Sequence, residues 1–327
     1  RLTRDELMRH EAAGITTATE IGMQPSWLPF YETLFARAVS PIRMRTYEAA
    51  VLAGTASRSL ENGDDMFAMI GVKFWADGSP FVGNIWTSRP YLNSDVTLNR
   101  MGLPRDHLGQ LNYQREQIEQ MVDTYARQGW QLAVHTQGDR SIDVMLDCYE
   151  KALATYPTAR RPFRLEHCAL MRDDQIARAK ALGVECSFFL PHIYYWGEAI
   201  RDSLFGPEVA ARYMPSGSAT RAGLRVSYHC DSPMTEPSPL RCLQIATTRR
   251  TGQGAVLGAD QRVGIEHALK AVTIDAAYQI GMADKIGSLE VGKYADLVIL
   301  GGDPRTHDPA DLENLPVLAT FLGGEIK

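Results

Sequence analysis

Seven short, largely apolar runs punctuate the chain, most of them followed by a helical pattern, and this alternation limits the fold more than any other feature. The runs are ITTATEIG, IRMRTYEAAV at 42–51, MIGVKFWADGS at 69–79, WQLAVH, FRLEHC, VECSFFL and LRVSYHCDSP. Strands of this kind separated by helices imply a parallel sheet covered on both faces. The helical stretches carry their own signals. YQREQIEQMVDTYARQG places Ile118, Met121, Val122 and Tyr125 at the 3–4 spacing of one buried stripe and stops at Gly129. DDQIARAKALG has acidic residues at its start and a glycine after its end.

Seven units are one short of a closed (β/α)8 barrel. The chain opens at Arg1 in what reads as the middle of a helix, at residues 3–13, without a starting Met. The first strand of the barrel is therefore expected upstream. The structural alternative, an open doubly wound sheet, requires a glycine-rich phosphate turn after an early strand, and the sequence contains no GxGxxG. Residues 80–112 are polar, rich in proline and glycine and without periodicity; a stretch of that length reads as a functional loop or lid. The C-terminal end differs from the rest, with a strand at Ala295–Leu300 and a hairpin built on Gly323-Gly324.

Composition removes several function classes. The net charge is −5 and no basic run offers a footprint for nucleic acid. No apolar stretch reaches the roughly 18 residues of a membrane helix. The five cysteines, at 148, 168, 186, 230 and 242, are odd in number and form no CxxC pair, so they read as reduced thiols in a reducing, cytoplasmic setting. The expected partner is a small-molecule substrate, with a homodimer as the expected assembly.

In a barrel, chemistry sits where strands leave the core at their C-terminal ends. Four polar residues hold that position: Lys73 in GVKFWADG, His135 in LAVHTQGD, His167 in FRLEHC and Asp231 in VSYHCDSP. His135 and His167 are 32 residues apart, about one βα unit when roughly 250 residues are divided among eight. His167 and Asp231 are 64 apart, about two units, with VECSFFL between them. Lys73 and His135 are 62 apart with no strand between, which is one unit plus the long loop.

A lone histidine at a strand end is more often a structural group than a ligand. Two of them with a carboxylate on one rim suit a divalent metal, zinc before others, as one or two ions. Zinc lowers the pKa of bound water to about 7, and Asp231 would both bind the ion and carry the proton of the attacking water. Lys73 is odder, because its cation would repel a metal. A desolvated amine loses its proton more readily and can capture carbon dioxide as a carbamate, whose two oxygens suit metals about 3.5–4 Å apart. His229 stands open between an outer partner of the site, a substrate contact and packing. Glu166 and Asp139 would orient an imidazole, or Asp139 would cap the helix that begins at Arg140–Ser141. His10, His107, His267 and His307 fall on helix-like or loop segments and read as surface or structural.

VKFWADGS, VHTQGDRSID, RLEHCALMRDDQIARAKALGV, HCDSPMTEPSPL and IGSLEVGKYADLVIL follow one another in an order that resembles the amidohydrolase superfamily, in particular the amidohydrolase-3 (YtcJ-like) family. The resemblance runs from about residue 10 to the end. It implies a metal-dependent TIM barrel with a β-sandwich made from the two chain ends: residues 1–285 as barrel strands 2–8, and 286–327 as the C-terminal part of the sandwich. It also implies hydrolysis of C–N bonds in amides, formamides or cyclic amides. By that resemblance His135 and His167 correspond to the metal histidines of the family's fifth and sixth strands. Asp231 corresponds to the eighth-strand aspartate that is ligand and general acid/base, and Lys73 to the fourth-strand lysine that is carboxylated in many members.

The family's first-strand HxH pair would lie before Arg1. Its Gln-Pro-x-His pattern reads here as LPHIYYWGE, with Leu190 in place of glutamine. His192 then corresponds to the histidine that faces the substrate carbonyl, where it would polarise a developing oxyanion. Tyr194, Tyr195 and Trp196 are expected as pocket wall, with core or lid packing as the alternative, and His229 as a substrate contact. Two other functions fit the same residues: a catalytically silent ligand-binding barrel, and ester or lactone hydrolysis at the same metal site. Substrate choice would depend on the loops at 80–112 and 190–216.

Overall fold

A computed structural model describes residues 2–36, 40–52, 54, 56, 63–156 and 161–327. All seven apolar runs contain strands: β1 (Thr17–Met23), β2 (Arg43–Ala49), β3 (Phe67–Trp75), β4 (Gln131–Thr136), β5 (Arg164–His167), β6 (Glu185–Phe188) and β7 (Val226–Tyr228). They form one parallel sheet in which spatial order equals sequence order, with β1 and β7 at its edges. Every strand that follows its predecessor in parallel needs a crossover, and right-handed crossovers of the same kind repeated six times curl a sheet in one direction. β3 pairs directly with β4, Lys73 opposite Ala133 and Trp75 opposite His135. The 62-residue interval, long enough for two units, is thus one unit with a long insertion, as the lack of a strand between the two residues predicts.

The amphipathic stripe of helix Arg115–Arg127 buries Ile118, Met121, Val122 and Tyr125. Gly129 beyond its end and Gly183 after helix Asp173–Leu182 have positive φ, 83° and 67°, the left-handed stop that glycine adopts without a Cβ clash. The inner side of the sheet toward its N-terminal end is polar. Tyr47 donates to Gln131 (2.8 Å), Arg164 donates to the Tyr47 hydroxyl (3.1 Å), and Arg164 is paired with Glu166 (2.9 Å). Gly71 makes room for this layer, since a Cβ there would stand 2.5 Å from the Tyr47 ring.

Two expectations change. The segment after β6, expected as loop, is helical at Pro191–Ala199 and again at Gly206–Ala211. Pro191 at the first helical turn is pre-set for helix. Residues 80–112 form a long connection as expected, with single helical turns at Pro80–Val82 and Val96–Arg100, and they are pinned. Backbone bonds join Thr87 to Leu108 and Tyr91 to His107, and tie Leu92 to Leu204, each at 2.8 Å.

At the C-terminal end β8 (Leu297–Leu300), β9 (Val317–Leu322) and β10 (Glu325–Ile326) form an antiparallel sheet in the order β10-β9-β8. Its hairpin turns on Gly323 and Gly324 with φ of 61° and 87°. This sheet is tied to the chain start where the Thr320 hydroxyl donates to the Glu11 carbonyl (2.8 Å), and to β2 where Arg43 makes a two-pronged pair with Asp296 (2.7 and 3.0 Å).

Candidate functional site

The strand ends bring three side-chain donors together. His167 is the last residue of β5, and His229 and Asp231 follow β7. Nε2 of His229 lies 3.3 Å from Nδ1 of His167. One donor atom each from His167, His229 and Asp231 lies within 4.8 Å of the others, a spacing at which the three could hold a metal ion. His135, near the end of β4, packs its ring against His167 with centroids 4.3 Å apart. His167, Cys168 and Asp231 all have positive φ, at 74°, 54° and 53°. Such conformations are uncommon for residues with a side chain and persist where the surroundings impose them, often at functional sites.

Other groups fix which ring nitrogen faces inward. His135 Nε2 is 2.8 Å from the Gly78 carbonyl. A carbonyl only accepts, so Nε2 carries the proton and Nδ1 keeps its lone pair. His229 Nδ1 meets the Ser187 hydroxyl at 2.9 Å, and its ring stacks on Phe189 at 5.3 Å. Ser187 thereby holds Nε2 toward His167.

Asp77, in the ADGS turn after β3, anchors the neighbourhood. Its carboxylate accepts from the backbone of Gln137 (2.9 Å) and Gly138 (2.8 Å) and from the Ser141 hydroxyl. It therefore caps helix Asp139–Thr155 from outside. Asp139 opens that helix but accepts instead from Ser88 (2.8 Å) and Arg172 (3.2 Å), so it is no cap. Glu166 is committed to Arg164.

Burial governs the charges. It lowers the pKa of His135 and His229 to about 3, with the Lys73 cation adding to the effect in both. His167 and His192 fall well below the usual imidazole range for the same first reason. The imidazoles are neutral at pH 7 and offer lone pairs, which is what a metal requires. Lys73 is buried, and burial lowers it to about 8 against the pull of Glu166 and Asp231. Asp231 stands on the solvent side. Desolvation by the surrounding protein raises its pKa, and the Lys73 cation opposes the rise. Two neutral nitrogens and a carboxylate oxygen are a fitting donor set for a borderline divalent cation.

Of the four strand-end residues expected to share an ion, His167 and Asp231 meet within this donor group. His135 lies against His167, and Lys73 acts through its charge on His135, His229 and Asp231. His192 is buried, with Nδ1 3.0 Å from the Tyr213 hydroxyl. Phe189 separates it from His229, with ring centroids 4.4 Å from one and 5.3 Å from the other.

Tyr194, Tyr195 and Trp196 touch in sequence, at 5.1 and 5.5 Å between ring centroids, and reach two neighbourhoods. Trp196 packs on His192 (5.4 Å) and on Phe81 (4.9 Å) from the 80–112 segment. Tyr194 and Tyr195 lie by the Arg241 guanidinium, at 5.1 and 5.6 Å. The run is helical, and successive side chains on a helix point about 100° apart. His10 and His107 bond backbone carbonyls and His307 pairs with Asp311, all outside this cluster.

Residues missed from the sequence are Asp77, Gly78, Ser187, Phe81, Phe189 and Tyr213. Ser187 carried a signal: a lone hydroxyl at the centre of an apolar strand, two places from Glu185 and so on the same face. Tyr213 carried none.

Residues 1–326 match the amidohydrolase family described as Amidohydro_3. The chain is 30% identical to N-substituted formamide deformylase of Arthrobacter pascens over 223 residues, 68% of this chain and 41% of that protein. It is 24% identical to YtcJ of Bacillus subtilis over 261 residues, 78% and 46% of the two chains. The crystal structure of an uncharacterized metal-dependent hydrolase from Pyrococcus horikoshii superposes with a TM-score of 0.77 at 25% identity, covering 94% of this chain and 59% of that one. The chain thus spans about half the length of the curated relatives it matches. Among the described residues no helix is long and apolar enough to cross a membrane. With a family match that runs along nearly its whole length, the chain belongs to the amidohydrolase family.

Proposed function

We propose that the protein hydrolyses a C–N bond of a small molecule at a divalent-metal centre held by His167, His229 and Asp231, with His135 and Lys73 as further ligands. The seven-stranded sheet is read as strands 2–8 of a TIM barrel. The observation that carries the reading is the 3.3 Å between His229 Nε2 and His167 Nδ1. With Zn–N bonds of about 2.0–2.1 Å, two nitrogens on a tetrahedral ion stand about 3.3–3.4 Å apart, so the spacing accommodates zinc. Lys73, at about 8, is in part a free amine at neutral pH. Carbon dioxide would convert it from a repelling cation into a bridging carbamate suited to a second ion.

A divalent cation in this site supplies Lewis acidity and brings the pKa of water toward 7. The rest falls to the chain. Asp231 takes the proton of the attacking water and delivers it to the departing nitrogen, and its raised proton affinity suits that exchange. Tyr213 is buried and its pKa is held well above 10, so it stays a phenol and can donate to His192 Nδ1. That tautomer leaves Nε2–H free to stabilise a developing oxyanion.

The formamide deformylase relative makes N-substituted formamides the first class to test. The experiment is a panel of N-substituted formamides, amides and lactones offered to the zinc-loaded full-length protein, with formate and amine release as readouts. Turnover of a formamide or amide that is lost in Asp231→Asn supports the reading. Lactone turnover alone, or full activity in Asp231→Asn, overturns it.

A further inference from the structure

We propose that Cys230 and Cys242 form a two-electron redox site whose oxidation to a disulfide disables the neighbouring donors His229 and Asp231. The second half of this statement rests on the reading of those donors as metal ligands.

The five cysteines are all free thiols, and Cys230 alone among them is part-exposed. Its Sγ lies 3.7 Å from Sγ of Cys242, in van der Waals contact. A disulfide spans about 2.05 Å, so the sulfurs need to close by about 1.7 Å. The two thiols sit on elements of unequal firmness. Cys242 is fully buried on helix Pro239–Thr248, which also buries Leu240, Leu243, Ile245 and Ala246. Cys230 belongs to the connection after β7, held at its sulfur by the Ser238 backbone N–H at 3.3 Å. Closure therefore moves the connection toward the helix.

Cys230 stands between His229 and Asp231 in sequence. The Cys242 sulfur also touches the His229 carbonyl, at 3.9 Å. His167 is on β5 and does not follow. The part of this closure that the connection takes up moves His229 Nε2 and the Asp231 carboxylate relative to His167, and a donor set specified to a few tenths of an ångström does not survive it.

Hydrogen peroxide is a sufficient oxidant. The part-exposed Cys230 thiol is oxidised to a sulfenic acid with release of one water. The Cys242 sulfur then displaces the hydroxyl as a second water and the S–S bond forms. Two protons and two electrons leave the thiols, and one peroxide is reduced to two waters. The accessible attacking thiol beside a buried resolving thiol is the arrangement of redox-sensing cysteines.

The test treats the zinc-loaded full-length protein with hydrogen peroxide and maps its peptides without reduction. Trypsin cuts at Arg225, Arg241 and Arg249 and separates the two cysteines. The expected result is a linked pair, Val226–Arg241 with Cys242–Arg249, two hydrogens lighter than the sum. Zinc release, read with a colorimetric chelator, should be at least tenfold greater than in Cys242→Ser or Cys242→Ala, and dithiothreitol should reverse it. Cys230 recovered only as sulfinic or sulfonic acid, a different cysteine pairing, or the linked pair forming with zinc retained overturns the proposal. A reduced protein that holds no zinc instead defeats the metal reading, while the linked peptide decides the thiol pairing independently.

Discussion

His229 and His167 face each other at 3.3 Å although a whole strand, β6, separates the elements that carry them. What orients His229 across that gap is Ser187 on the middle strand. Its hydroxyl meets His229 Nδ1, while the His229 backbone N–H donates to the Phe188 carbonyl at 3.2 Å. Ser187→Ala leaves the ring free to turn and should weaken zinc binding roughly 10–100-fold, the usual effect of removing a hydrogen-bond partner behind a ligand. Competition with a chelator of known affinity measures it. Unchanged affinity would show that Ser187 does not orient the ring.

The imidazoles should remain neutral in acid. An ordinary histidine protonates near 6.5, whereas burial holds His135 and His229 at about 3. The unfolded chain takes up these protons as pH falls below 6.5 and the folded chain does not. The stability these rings contribute is thus fully present above 6.5 and is lost as pH falls toward 3. Ring nitrogen shifts in the metal-free protein at pH 5 should report neutral rings. Titration near 6.5 would contradict the burial argument.

The strands were legible because each is an apolar run of its own, and the spacing of His135 and His167 placed both at one end of the sheet. The role of His229 was not legible. It depends on a partner 62 residues away and on which nitrogen Ser187 occupies, and periodicity carries neither. The Tyr-Tyr-Trp run left pocket wall and core or lid packing both open, because a string does not carry the helical rotation that sends Trp196 toward His192 and the tyrosines toward Arg241. Asp77 was hidden inside a turn motif, because a cap supplied from another segment leaves no mark in the helix's own sequence.

Tyr213→Phe keeps the ring and removes the hydroxyl that bonds His192 Nδ1. The imidazole is then free to adopt the other tautomer. The variant should lower kcat about tenfold with KM nearly unchanged, less than the 10²–10³-fold cost of deleting an oxyanion donor outright. Steady-state kinetics on the best formamide substrate check this, and a change confined to KM would point to substrate contact instead.

Asp77→Ala leaves the Gln137 and Gly138 amides without the acceptor they now share. Each orphaned buried donor costs about 1–3 kcal/mol, so a loss of about 2–6 kcal/mol is expected in urea unfolding. The stability of Asp139→Ala should fall by less, because that carboxylate serves Ser88 and Arg172 at the rim.

The most direct test of the central claim is the zinc content of the full-length protein beside that of His229→Ala and Asp231→Ala. At least one equivalent in the parent, falling below a few tenths in both variants while the circular dichroism spectrum stays the same, is the result this account predicts. A parent protein that takes up no zinc at saturating concentration, or variants that hold as much as the parent, would contradict it.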